Sequence, residues 1–315
     1  MKSQCAAGLS LKGGKRDQFF FSVLEYYPEK KRWFLSSLLQ VKDDPENKDG
    51  DEVIQNWIQE HKVQNLVVDV PLSPPPMLEL DLGWPKPTGK EEDFLKLVQD
   101  EIQELLEYDA LKQKEHPKEY ERARNLDDEI VYSKNLFSKS STDHILSRPF
   151  KRRLKKGFLP YWNRTLDFWV WCHYYDQMLK LFNVSFDSFG STNLMALFRF
   201  NHLKKNFPAE TNLYEASTDL LLIELLRSKI IHKKDLLNLN DMDLGPEAKL
   251  NILMQIEKQL GIFIYDHDLE LLVKNPRAFE SFLLNLAGKL FQSGEAKTLP
   301  KWTMPEEARF IVPEL

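Results

Sequence analysis

From Cys5 to Val70 the apolar positions recur mostly with the short period of strands. Cys5-Ala6-Ala7-Gly8-Leu9 is a short apolar start, and the polar, glycine-paired Leu11-Lys12-Gly13-Gly14-Lys15-Arg16-Asp17 after it has the composition of a hairpin connection. Gln18 to Tyr27 is aromatic and β-prone, Pro28-Glu29-Lys30-Lys31 turns the chain, and Arg32 to Val41 reads as a third strand. Together they predict an antiparallel meander. The period then changes, with Val53, Ile54, Trp57 and Ile58 at helical spacing inside Asp51 to His61. Asn65-Leu66-Val67-Val68-Asp69-Val70 is a nearly continuous apolar run closed by Pro71, as in a strand buried on both faces and paired in parallel. The order β-β-β-α-β predicts an α/β fold on a mixed sheet.

Beyond Pro71 the pattern loosens. Pro71, Pro74, Pro75, Pro76, Pro85 and Pro87 mark an irregular connection. In the charge-dense stretch Glu91 to Arg124, Phe94, Leu97, Val98, Ile102, Leu105 and Leu106 predict one or two amphipathic helices. Ser138 to Thr142 reads as a loop and Arg148 to Lys156 as a basic run. The whole is read as one domain over 1–315, interrupted by a mostly helical and loop insertion over 74–160. Further on, helices are predicted over Leu166 to Phe182, Thr192 to Asn206, Ser217 or Thr218 to about Ile231, Pro246 to Leu260, and Pro276 to Gln292. Asn212 to Glu215 and Phe310 to Val312 read as short strands.

Composition narrows the functional classes. The 315 residues are 42% hydrophobic and 29% charged, the balance of a globular chain able to bury a core. A net charge of -5 gives no overall basic field, so a nucleic-acid partner would need a local patch. The 2 cysteines, Cys5 and Cys172, form no CxxC pair, which predicts a reduced, cytoplasmic setting. Met1 to Ser10 lacks the apolar core of a secretion signal and no apolar run has bilayer-spanning length, so no membrane partner is expected.

Asp69 is the most informative candidate. An acid inside an apolar strand is costly to bury unless it is paired, metal-bound, or bonded to backbone N–H groups of the following turn. Glu215 closes its strand just before a helix, where the helix dipole by itself would satisfy it. Glu280 lies on a helix apolar almost all round, so it needs a partner, either a cation of the chain or a metal. Arg164 and Asp167, three apart at a helix start, fit either a phosphate contact or an ion pair within the helix. Arg148, Lys151, Arg152 and Arg153, followed by Phe158, Tyr161 and Trp162, offer cations beside stackable rings for nucleic acid, although a charge run is more often a solvated face, here one that the Glu-rich helix could neutralise. Cys172 and His173 are adjacent on a helix and point apart, and Gly13-Gly14-Lys15 lacks the rest of a phosphate loop.

Several segments, in order, resemble the predicted RNase H-like nuclease family catalogued as domain of unknown function 429. Val67-Val68-Asp69-Val70-Pro71-Leu72 is similar to that family's DxP strand and Arg164-Thr165-Leu166-Asp167 to its RxTD segment. Leu213-Tyr214-Glu215-Ala216, Phe279 to Ala287 and Arg309-Phe310-Ile311-Val312-Pro313 resemble its Glu-containing strand, late acidic helix and closing segment. The resemblance implies an RNase H-like mixed sheet flanked by helices. It also implies a metal-dependent nuclease or phosphodiester hydrolase, with Asp69, Glu215 and Glu280 as catalytic ligands of Mg²⁺ or Mn²⁺. Hard cations prefer such carboxylate oxygens. The sequence departs from the family at the first strand, where relatives carry aspartate and Gly8-Leu9-Ser10 supplies a neutral hydroxyl. Asp17 compensates only if the hairpin folds back. The late helix has Glu280 where aspartate is usual, and Ser217 stands where relatives tend to have proline. The alternative implied by Ser10 is a non-catalytic RNase H-like binding protein.

Overall fold

The computed structural model describes residues 5–11, 19–41, 49–75, 91–124, 146–159, 163–184, 194–299, 303 and 309–315. Gly13, Gly14, Lys15, Asp17, the 138–142 loop, Pro85, Pro87, Tyr161 and Trp162 lie outside the described residues. The chain divides into two compact units, one of Met1–Leu72, Asn193–Lys297 and Arg309–Leu315, the other of Ser73–Thr192 and Thr298–Ala308. The first begins with β1 (Cys5–Ser10), β2 (Phe20–Tyr27), β3 (Arg32–Gln40), α1 (Gly50–Glu60) and β4 (Asn65–Val68). The second holds α2 (Glu91–Glu115), α3 (Pro117–Arg124), α4 (Arg148–Leu154) and α5 (Thr165–Phe182). The first then resumes with α6 (Leu194–Leu203), β5 (Asn212–Ala216), α7 (Thr218–Arg227), α8 (Lys233–Asn238) and α9 (Gly245–Leu260). It ends with β6 (Ile262–Phe263), α10 (Asp266–Lys274), α11 (Pro276–Gln292) and β7 (Phe310–Ile311).

The fold is α/β, with a mixed 7-stranded sheet in the order β6-β3-β2-β1-β4-β5-β7. β1, β2 and β3 form the antiparallel meander that the alternating pattern predicts. β4 pairs in parallel with β1, as its nearly continuous apolar run predicts, and β5 pairs in parallel with β4. Ser217 caps α7 by accepting from Leu220 N, and Ile230 and Ile231 lie past that helix, which ends at Arg227. β6 has no counterpart in the sequence reading: its 2 residues pair with Trp33 and Phe34 and are too few to display a period.

Strand alternation sorts the first unit's core into two layers. Cys5, Ala7 and Leu9 of β1, with Leu66 and Val68 of β4, pack with Ile54 and Ile58 of α1 and Phe200 and Leu203 of α6. Ala6, Gly8 and Ser10 point to the other face, where α11 lies. A Cβ on Gly8 would stand 2.2 Å from Ser281 O and 2.6 Å from Asn285 N, so only glycine lets the helix backbone approach the strand this closely. Hydrogen bonds fix that approach. Ser281 Oγ donates to Gly8 O at 2.9 Å, Ser22 Oγ donates to Ser281 O at 2.9 Å, and Asn285 Nδ2 donates to Ser22 Oγ at 3.2 Å.

The second unit has its own core, in which Val98, Ile102 and Leu105 of α2 meet Phe150 and Leu154 of α4 and Phe168, Trp171 and Cys172 of α5. That packing carries the unit to Thr192, past the residue 160 at which the sequence reading closes the insertion. The apolar face of α2 needs the aromatic face of α5 to cover it. Among the described residues, no helix is long and apolar enough to cross a membrane.

Candidate functional site

Ser10 is the last residue of β1 and Asp69 the first after β4, and the parallel pairing of these strands sets both at the same, carboxyl-terminal edge. Sites in α/β sheets commonly form at such edges. Glu280 follows from the docking of α11. With Ser281 held on Gly8, the residue before it falls beside Ser10, two positions further along the same strand face. Ser10 Oγ lies 3.0 Å from Asp69 Oδ2 and 3.1 Å from Glu280 Oε2. The two carboxylates are thus no more than about two hydrogen-bond lengths apart. Asp69 Oδ1 also accepts from Leu11 N at 2.8 Å. Leu11 follows β1, so this backbone donor comes from the end of the neighbouring strand.

Glu280 is half-buried and shares Oε2 with a second donor, Arg277 Nη1 at 2.6 Å. Burial is the strongest influence on its carboxyl and pushes it above the ordinary carboxylate range. The Arg277 guanidinium pulls it down, the Asp69 charge raises it further, and the bonds from Arg277 and Ser10 lower it. Lys249 of α9 feels the same acid: burial depresses its ammonium and the Glu280 charge opposes that depression. Neither Arg277 nor Lys249 figures in the sequence reading. The signal available for Arg277 was its spacing of three from Glu280 on a predicted helix.

Glu215 is not brought into this group. Side chains alternate along β5, and Leu213 packs on the α1 side while the Tyr214 ring meets Phe291 of α11 at 4.6 Å. Glu215 therefore leaves its strand on the face opposite Glu280, and its Oε2 accepts from Leu72 N at 3.0 Å. The expected three-acid ligand set is reduced to a pair because a period of two cannot put neighbouring positions on one face.

Arg164 and Asp167 belong to the second unit. Asp167 Oδ2 accepts from Arg164 N at 2.7 Å and its Oδ1 from Arg164 Nη2 at 3.2 Å, a capping arrangement at the start of α5. Arg164 is only 3% exposed, so the geometry is that of a buried helix-start pair and does not offer the guanidinium to a phosphate in solvent. The basic run divides in two. Lys151 pairs with the buried Asp109, and the buried Arg153 donates to Gly157 O at 2.9 Å and lies over Trp171. The exposed Arg148 stands 3.7 Å from Glu121 of α3, and Arg152 Nε donates to Arg148 O at 3.4 Å. Arg148 and Arg152 alone remain outward among the four cations expected to meet nucleic acid.

The donor set near Ser10 does not fit the pair of divalent cations implied by the family resemblance. The first-strand position is a neutral hydroxyl, Glu280 Oε2 already faces a guanidinium, and Asp69 Oδ1 is taken by a backbone amide. Among the described residues, no three His, Cys, Asp or Glu side chains stand close enough to hold a metal ion together. No protein family, curated protein or solved structure matches this chain.

Proposed function

We propose that the first unit is an RNase H-like domain that acts as a binding scaffold and does not hydrolyse phosphodiesters through bound metal. The strand order β3-β2-β1-β4-β5, with an antiparallel meander followed by parallel strands, supports the RNase H-like reading. One observation carries the binding reading. Ser10, the residue between the two acids, contacts both of them through a hydroxyl with no charge to give a cation. Hard divalent ions take charged carboxylate oxygens in preference to a neutral hydroxyl. The second reading, a metal-dependent nuclease impaired at Ser10, is supported by the approach of Asp69 and Glu280 to a common point.

A labelled oligonucleotide incubated with Mg²⁺ or Mn²⁺ separates the two readings. The natural chain is expected to leave it intact, and Ser10→Asp is expected to gain saturable Mn²⁺ binding in calorimetry. Cleavage by the natural chain that disappears in Asp69→Asn would overturn the binding reading in favour of the nuclease.

A further inference from the structure

Arg277 occupies an unusual place. It sits in the first turn of α11, where the positive end of the helix dipole favours acids and disfavours cations. Its position is firmly set. Pro276 precedes it, and Asn275 caps the helix by accepting from Arg277 N at 2.9 Å. A helix start read on local preference alone would carry an acid here, and this one has none in its first turn.

The compensation lies on the next turn and across the sheet edge. Arg277 Nη1 meets Glu280 Oε2 at 2.6 Å, the same oxygen that stands 3.1 Å from Ser10 Oγ, whose other acidic neighbour is Asp69 Oδ2 at 3.0 Å. Two carboxylates sharing one hydroxyl repel each other unless a positive charge is supplied nearby. Carboxylate pairs of this kind commonly recruit a divalent ion from solution. Here a guanidinium is tethered one helical turn away and bonds the shared oxygen directly.

We propose that Arg277 is a built-in counter-ion, whose guanidinium holds Asp69 and Glu280 together in place of a divalent cation and competes with any such ion for Glu280 Oε2. Lys249 adds positive charge from α9 but reaches Val273 O at 3.5 Å, so the direct contact on Glu280 belongs to Arg277. The inference rests on the reading of this site as one that works without bound metal, and it assigns the residue responsible. Ser10 offers no charged ligand beside the pair, while the Arg277 guanidinium supplies positive charge at the Glu280 oxygen that a metal would take.

The test is Mn²⁺ titration of the full-length chain by calorimetry, with melting temperature followed in parallel. Arg277→Gln keeps a planar amide but removes the charge, and is expected to bind one Mn²⁺ at least about tenfold more tightly than the natural chain. The gain should vanish in the Arg277→Gln, Asp69→Asn double variant. Arg277→Lys retains the charge and should show no gain. If Arg277→Gln melts early, Mn²⁺ is expected to raise its melting temperature and leave that of the natural chain unchanged. Equal Mn²⁺ affinity in the natural chain and Arg277→Gln, or an equal gain in Arg277→Lys, overturns the proposal. These outcomes are read by binding, whereas the binding-scaffold reading stands or falls on oligonucleotide cleavage by the natural chain, so either can fail alone.

Discussion

Glu280 lies under opposing influences, with burial and the Asp69 charge raising its carboxyl and Arg277 and Ser10 lowering it; the net shift is upward. Its folded value exceeds the ordinary 4.5, so between those two values the folded chain binds more protons than the unfolded chain. The stability contributed by this group is therefore present in full below pH 4.5 and is lost as pH rises through the folded value. Glu280→Gln, neutral throughout, lacks that loss. Urea midpoints measured from pH 4 to 8 should fall away in the natural chain relative to the variant, and parallel profiles would refute an upward shift at Glu280. Sequence pattern alone flagged Asp69 and Glu280, because an acid in an apolar strand or helix stands out against its neighbours. It could not flag Arg277 as their partner, since a cation spaced three residues from an acid is common on any exposed helix.

At the scale of elements, the site depends on how closely α11 approaches β1. The apolar circumference of α11 predicts a buried helix, and it is one. Its depth is set by Gly8, Ser22, Ser281 and Asn285, small and polar residues that hydropathy ranks low. Gly8→Ala would force a Cβ against helix backbone, and neither partner is a flexible side-chain end that can yield. We expect a loss of at least about 3 kcal/mol in chemical denaturation, above the usual cost of overpacking because backbone must move. A loss below about 1 kcal/mol would mean that the helix is free to retreat from the strand. Which elements are legible in the sequence follows the same division between local period and tertiary contact. β1 to β4 and α1 announce themselves by period, whereas the 2-residue strand β6 exists only because Trp33 and Phe34 present an edge to it.

Across the whole molecule, two cores of different character form from one chain. The first is layered on both faces of the sheet, and the second is helical, built on α2, α4 and α5. Asp109 anchors the second: Tyr120 Oη donates to it at 2.8 and 2.9 Å, and Lys151 pairs with it in the interior. Asp109→Ala leaves a hydroxyl and a largely buried ammonium without their acceptor, a change that costs about 3 kcal/mol. Because each core draws on its own residues, hydrogen exchange should rise in α2 to α5 and stay unchanged in β1, β2 and β4. Exchange rising equally in both sets would contradict that independence.

The sequence by itself determined the α/β class, the meander, the parallel β4, the helix α5 and the buried character of α11. Each of these follows from the period of apolar positions along a single segment. Only the tertiary structure decided that Glu215 turns away from Asp69 and Glu280, that Ser10 bridges those two, and that Lys151 and Arg153 face inward. Those outcomes depend on which face and which neighbour a side chain meets once distant segments pack. One residue of strand parity or one glycine at a helix crossing fixes that meeting, and neither leaves a mark in local composition.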